Sequence, residues 1–431
     1  MRTRRLLVFV AALTVSSYSS FAQAPARLSL KDAEQRALAG HPDIAGAQAA
    51  ARATQQTVRA ARSAYFPAIL GNATGAAASP DGARITAGAL NNPSIFDRFA
   101  IGVVATQLVT DFGRTGDLVQ TQKLRAGARE QDVTWVRAEV LLEVDRAYFT
   151  VLRAQAVQRV AMQTVDARQL VVDQVTALAN SGLKSGLDLS FARVNLSQAQ
   201  LLLVQAEGDL QSAFAALNTA MGAPQTTLYD LADEPITPPS AAEDVSATIT
   251  RALRDRPDVA AERLSAQAAS KFADAEAALH LPVVSAIGTA GVTPYRDSAL
   301  GDRYSAAGFN VTVPVLNGGM YSARHAEAAY RAQAAEAALR DLENRVARDV
   351  TQAWVQAKTA FQRVDLTNQL VAQASDALDL AQQRYAMGLS SIVELTQAQL
   401  NKTQADIDLA SARYAYLSQL SALRFATGSL K

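Results

Sequence analysis

The sequence predicts a mainly α protein with transmembrane β-structure: long antiparallel coiled-coil hairpins plus four strands per chain, produced by an internal duplication. Three observations carry this reading. The chain aligns with itself. His41-Pro42-Asp43-Ile44 falls on Arg256-Pro257-Asp258-Val259 at an offset of 215, and Gly113, Gly182 and Gly222 fall on Gly319, Gly388 and Gly428 at an offset of 206. Short segments of period two interrupt the helical periodicity of each copy, most clearly where Phe309, Val311, Val313 and Val315 alternate with Asn310, Thr312 and Pro314. After Gly113 and Gly319 a helical pattern runs on for roughly seventy residues without proline, on the order of 100 Å of helix, which no ordinary globular core requires.

The elements follow in order. Arg2, Arg4 and Arg5 precede the apolar run Leu6 to Val15, and Ser20-Phe21-Ala22 supplies a small-x-small cleavage site, so residues 1–22 read as a secretory signal. Cutting at Ala22-Gln23-Ala24 would leave Pro25 after the cut, which disfavours that alternative. The apolar run is far short of the ~20 residues that span a bilayer as helix. The first repeat, 23–222, begins with a helix near Leu30, breaks at His41-Pro42, continues to Pro67, gives strands at about 68–78 and 98–109, and ends in a long hairpin with its tip near 181–187. The nine-residue difference between the two offsets falls between Pro67 and Gln107. There Ser79-Pro80-Asp81-Gly82 and Asn91-Asn92-Pro93 read as an exposed loop. Residues 223–244, with four prolines and several acids, form a linker outside the helical cylinder. The second repeat, 245–431, has strands at about 282–292 and 304–315 and a hairpin tip near 387–392.

Each return helix shows two apolar stripes. Leu189, Leu196, Leu203, Leu210 and Leu217 lie seven apart and match Leu395, Lys402, Leu409, Tyr416 and Leu423, which predicts a leucine core seam. Leu187, Val194 and Leu201 match Val393, Leu400 and Ile407 beside it, so each return helix requires two neighbours, as in a cylinder of coiled coils. Each strand segment has about the ten residues that a tilted membrane strand needs. A sheet in lipid must close, and four strands cannot; two chains would give eight strands and three would give twelve.

Composition excludes other classes. With no cysteine there is no disulfide scaffold, zinc ribbon, iron–sulfur centre, thiol enzyme or lipoprotein anchor. His41, His280 and His325 have no second ligand at metal spacing, so no metal is assigned. Without the three signal arginines the net charge is about −2, which gives no footprint for nucleic acid. Nucleophile elbows, phosphate loops and dinucleotide fingerprints are missing, so the expectation is a protein without cofactor or catalysis. Trp135 and Trp354 read as packing residues, and Asp111 and Asn317 as helix caps.

The duplication, the segment Gln107-Leu108-Val109-Thr110-Asp111-Phe112-Gly113-Arg114 with its partner Pro314-Val315-Leu316-Asn317-Gly318-Gly319, and the two glycine turns together resemble the TolC-like outer-membrane efflux family. The resemblance covers essentially the whole mature chain. It implies a homotrimer whose strands form a twelve-stranded barrel among outer-membrane lipid, continuous with a periplasmic coiled-coil tunnel. It also implies docking to a periplasmic adaptor (membrane fusion) protein and an inner-membrane pump of RND or ABC type. Such a duct is passive. By the same resemblance, Glu394 and Gln397 fall on the two positions that ring the periplasmic entrance, with glutamine where another carboxylate is common. Tyr385 and Asp188 fall on the gate-linking positions, and Ser390 stands where an arginine commonly reinforces that link. Gly182-Leu183 and Gly388-Leu389 resemble the tips that meet the adaptor.

Local roles stand beside these. Gly182 and Gly388 break the helices whatever the partner does, Asp188 and Glu394 suit helix starts, and Tyr385 suits packing between helices. Two other functions compete. A type I protein-secretion channel would share the fold and differ in its genome neighbours. A soluble periplasmic adaptor or spacer would leave the paired strand segments unexplained.

Overall fold

The computed structural model describes residues 27–77, 83–84, 94–223, 227–236 and 244–430. The signal at 1–22, the loop markers Ser79-Pro80-Asp81-Gly82 and Asn91-Asn92-Pro93, and linker residues 224–226 and 237–243 lie outside the described residues. The first repeat runs β1 (Arg27–Leu28), α1 (Leu30–Gly40), α2 (Pro42–Arg62), β2 (Ala68–Ala76), β3 (Ala83–Arg84), β4 (Ser94–Ile95), β5 (Arg98–Thr110), α3 (Arg114–Asn180) and α4 (Gly186–Ala220). Strand β6 (Asp230–Leu231) of the linker pairs in parallel with β1. The second repeat runs α5 (Val245–Asp255), α6 (Pro257–Ala277), β7 (Val283–Arg296), β8 (Arg303–Thr312), α7 (Met320–Ala386) and α8 (Ile392–Ala426).

Local chemistry sets the boundaries. Ser29 and Asp32 form a capping box at the start of α1, and Pro42 opens α2 after an extended His41 whose Nδ1 accepts from the Asp43 N–H at 3.2 Å. At the strand-to-helix corners two successive residues have positive φ: Phe112 (54°) and Gly113 (103°) in the first copy, Gly318 (63°) and Gly319 (82°) in the second. Asp111 accepts from the Thr115 N–H at 2.8 Å and the Thr115 hydroxyl at 2.6 Å, which makes it a cap.

The helices lie in four columns. α3 packs along α4 and α2, α7 packs along α8 and α6, and α3 joins the halves by packing on α8 and α6. Within a column, α2 stacks end to end on α4, because Gly222 sits against His41 and Pro42. In the same way Gly428 sits against Asp255 and Arg256, which sets α6 on the end of α8. A Cβ at Gly222 would meet His41 Cα at 3.1 Å and one at Gly428 would meet Arg256 Cα at 3.1 Å, and both backbones have positive φ, 71° and 72°. The lateral order is therefore α4 with α2, then α3, then α8 with α6, then α7. The main sheet, in order β2-β5-β7-β8, repeats it, since α2 leads into β2, β5 into α3, α6 into β7 and β8 into α7. Each strand continues its own helical column.

All three pairings of this sheet are antiparallel, and the register separates two faces. Ala73, Ile101 and Val292 share a row, as do Gly71, Val103 and Ala290, and Phe309 joins Gln107 and Ala286 on that apolar face. The other face carries Asn72, Thr106, Thr289, Ser285, Tyr304 and Asn310. Tyr304 covers Gly102 and Gly291 in its row, where any Cβ would run into its ring. The alternation through Val315 overstates the last strand. Pairing stops at Thr312, because Pro314 has no N–H to continue a ladder. The outer edges of β2 and β8 have no neighbour among the described residues.

The seam also differs from the leucine reading. In α4 the buried heptad is Ala192, Ala199, Ala206, Ala213 and Ala220, while Leu189, Leu196, Leu203 and Leu210 are half-buried at its margin; of the leucine reading, Leu217 in α4 and Leu395 and Tyr416 in α8 are buried. Alanines at the centre let the antiparallel helices approach closely, and the leucines then cover the sides. The second stripe faces outward in the single chain: Leu187, Val194 and Leu201 are 65%, 54% and 70% exposed. Just below the sheet, buried Glu276 of α6 holds Arg324 of α7 at 2.7 Å and lies 3.8 Å from Arg114 of α3, tying three columns together. Around the waist, the Tyr148 hydroxyl donates to the Ala232 carbonyl at 2.6 Å and lies 3.0 Å from that of Leu28, so β1 and β6 are held against α3. Trp135 packs between the Phe425 ring at 4.7 Å and the Arg256 guanidinium at 5.0 Å. Among the described residues no helix is long and apolar enough to cross a membrane.

Candidate functional site at the hairpin tips

Both hairpins turn in the same way. After α3, Gly182 (φ 73°) reverses the chain and the Leu183 N–H donates to Leu178 O at 2.9 Å; after α7, Gly388 (φ 73°) does so and the Leu389 N–H donates to Arg384 O at 2.8 Å. This glycine-centred cap leaves Leu183, Met387 and Leu389 in solvent, 71%, 64% and 66% exposed.

The starts of the return helices differ. The Ser185 hydroxyl accepts from the Asp188 N–H at 3.2 Å, and the Asp188 carboxylate accepts from the Ser185 N–H at 3.1 Å and its hydroxyl at 2.9 Å, a complete capping box. In the second hairpin Ser391 accepts from the Glu394 N–H at 3.4 Å, but the Glu394 carboxylate turns away and pairs with Arg384 of α7 at 3.1 Å. Gln397 bonds along its own helix, donating to Asn401 Oδ1 at 2.9 Å. Glu394 and Gln397 thus present one carboxylate, already paired, and one amide.

Tyr385 sits among Val171, Leu189, Leu378 and Leu395, in the small core that joins the two tips. Its hydroxyl is buried and has no hydrogen-bond partner among the described residues, and Lys184 of the opposite turn places its ammonium 4.2 Å from the ring centre. Burial first, and the Asp188 carboxylate second, push the Tyr385 pKa up, so the phenol keeps its proton. Within one chain the structure does not bond Tyr385 to Asp188, whose acceptor oxygen is taken by Ser185. Ser390 likewise has a buried hydroxyl without a partner. Between the tips lies a groove of about 840 Å³, walled by Leu170 and Leu183 of the first hairpin and Tyr385 and Met387 of the second. The hairpins are also tied by Asn195, which donates to Thr396 Oγ1 at 2.9 Å.

Comparison with known proteins places this geometry. The sequence pattern of the outer membrane efflux protein family matches residues 33–223 and 248–429. The chain belongs to that family. It is 24% identical to the outer membrane protein TolC of Salmonella enteritidis over 446 aligned residues, covering 100% of this chain and 87% of that protein. It is 22% identical to the outer membrane efflux protein BepC of Brucella suis biovar 1 (strain 1330), covering 97% of this chain and 90% of that protein. Among solved structures it is similar to VceC, an outer membrane protein from Vibrio cholerae, with a TM-score of 0.78, 20% identity and coverage of 93% and 96%. It is also similar to the outer-membrane channel OprN, with a TM-score of 0.81, 20% identity and coverage of 93% and 90%. As an outer membrane efflux protein, this chain has its strands at the membrane end and its helical hairpins at the other.

Two residues of the tips were missed by sequence reasoning. Arg384 and Lys184 precede the residues they meet, and only the folded turns bring guanidinium to Glu394 and ammonium to Tyr385. The signal available was local: Arg384 and Glu394 flank the Gly388 turn at the last and first turns of two antiparallel helices, where opposite charges meet.

Proposed function

We propose that three copies of the chain close edge to edge into the exit duct of a tripartite efflux system. Twelve strands form a barrel in the outer membrane, continuous with a tunnel of twelve helical columns, and small molecules handed over by a periplasmic adaptor and an inner-membrane pump leave through it without catalysis. The observation that carries this reading is that one chain is an open strip at every level. The β2 and β8 edges are unpaired among the described residues, α4 exposes Leu187, Val194 and Leu201, and on the other side α7 exposes Tyr330, Leu366 and Leu380 at 70%, 64% and 58%. Lipid tolerates no open edge, and eight strands is the small end of membrane barrels, whereas twelve leave a lumen to match a tunnel. In this reading the repeats 23–222 and 245–431 each supply two columns, joined by 223–244.

The tips then form the entrance. Three copies of Glu394 facing water favour cations, tempered by Arg384, while Gln397 adds no charge. Tyr385 and Ser390 hold buried hydroxyls without a partner among the described residues, and Asp188 serves its own helix first. Gly182-Leu183 and Gly388-Leu389 offer the adaptor its contact. Reversal potentials in planar bilayers test the entrance: Glu394→Gln is expected to lower cation preference and Arg384→Gln to raise it. Unchanged potentials in both would put these residues away from the lumen.

A further inference from the structure

Arg168 occupies a core position of α3. It continues the heptad of Ala161 and Val175, each 0% exposed, and is itself 3% exposed. The duplication places Ala374, also buried, at the equivalent position, so the charge is particular to the first copy. Its Nη1 atom has no hydrogen-bond partner, and among the described residues no carboxylate pairs with it. The guanidinium borders a cleft of about 130 Å³ between α3, α7 and α8 that opens toward solvent. Asp406, the one acid lining this cleft, is taken by Lys402, whose ammonium lies 2.7 and 2.6 Å from its two oxygens. The amides of Gln382 and Gln399 complete the polar wall.

A nearly buried charge without a counter-charge is unfavourable, and a guanidinium keeps its proton rather than neutralising. Here burial pulls the Arg168 pKa down to about 10, which still leaves it charged at neutral pH. With the Lys402–Asp406 pair neutral, the cleft keeps a net charge of one positive unit. We propose that this cleft is an anion site that takes a small monovalent inorganic ion of the chloride class, held by the Arg168 guanidinium. The ion ties the first hairpin, through α3, to the second, through α7 and α8, in the half of the helical columns nearer the tips. The site is complete within one chain, so it stands or falls apart from the trimeric duct.

Bromide, which scatters anomalously, reports the site directly in soaked crystals of the full protein. The expected result is a bromide peak within hydrogen-bond distance of the Arg168 guanidinium, and a clean anomalous map at that position overturns the proposal. Thermal unfolding gives a second readout, comparing chloride with gluconate at equal ionic strength. The wild-type midpoint is expected to rise in chloride, and the Arg168→Met midpoint to be the same in both salts and no lower than wild type in gluconate. An equal chloride effect in wild type and Arg168→Met also overturns it. Should Arg168→Met fail to fold, the bromide map on the wild type decides alone.

Discussion

The two hairpins share one backbone and distribute their polar groups in opposite ways. The first is closed at its tip, where Ser185 and Asp188 satisfy each other; at its root His41 caps α2, and Asn218 of α4 exchanges two bonds with the Thr227 backbone of the linker. The second is bolted at its root. Arg256 forks onto Asp258 at 3.0 and 2.7 Å, donates to the last turn of α8 at the Ala426 carbonyl at 3.1 Å, and lies over Trp135. At its tip, Tyr385 and Ser390 keep buried hydroxyls without partners. Duplication copied the turns and joints, and side-chain divergence placed the local polar bonding at the tip of one hairpin and at the root of the other.

The largest test breaks the anchor. Arg256→Met leaves Asp258 and the α8 carbonyl without their partner and is expected to lower the unfolding free energy by about 3 to 5 kcal/mol, the range for breaking a buried pair. His41→Ala, at the equivalent joint, should cost about 1 kcal/mol, as loss of a cap does. Equal losses in denaturant titrations would erase the asymmetry of the roots. At the tips, Asp188→Ala should cost about 1 kcal/mol of stability through its capping box and leave conductance unchanged. A conductance change would move Asp188 from cap to gate.

At the waist a carboxyl pair of the first copy lies against α8 of the second. Glu34 of α1 lies beside Asp145 of α3, 1% exposed, whose Oδ1 has no hydrogen-bond partner among the described residues, with Ser421 and Arg424 of α8 and Glu234 of the linker nearby. Burial first, then the Asp145 charge, pushes the Glu34 pKa up to about 7 from an ordinary 4.5, with Arg424 and Lys31 opposing. The folded chain therefore holds a proton that the unfolded chain releases, so this contribution is full below pH 4.5 and lost as pH rises to about 7. Glu34→Gln should stabilise the protein relative to wild type at pH 8 by roughly 1 kcal/mol, discounted for the solvent that reaches Glu34, with the difference shrinking toward pH 4.5. A constant difference across that range would remove the shared proton. The smallest effect belongs to Tyr385→Phe, which deletes an unpartnered hydroxyl and should alter unfolding by less than about 0.5 kcal/mol. If the hydroxyl meets a neighbouring chain in the closed entrance, the same variant raises pore conductance; an unchanged conductance leaves it as packing.

Much of this architecture is written in spacing. Gly113, Gly182 and Gly222 recur in the second copy because corner, tip and joint each need positive φ, and the period-two segments around Phe309 mark strands that must alternate between lipid and water. The column order was not legible, because it depends on α3 packing against α8 and α6, contacts more than a hundred residues apart. The alanine seam was hidden because alanine is common on every face of these helices, whereas leucine draws attention to a stripe that in α4 is the margin except at buried Leu217. At the tip, the residue types at Glu394 and Tyr385 were visible, but their partners Arg384 and Lys184 emerge only when the turns close. Arg168 reads in sequence as one more surface arginine, and only the packed core shows that it has no counter-charge.

The central claim is that an open strip of four columns closes in threes. Light scattering of the protein solubilised from outer membranes, corrected for bound detergent, measures the number of chains directly. The account predicts the mass of three mature chains; a mass of one or two chains would contradict the twelve-column closure.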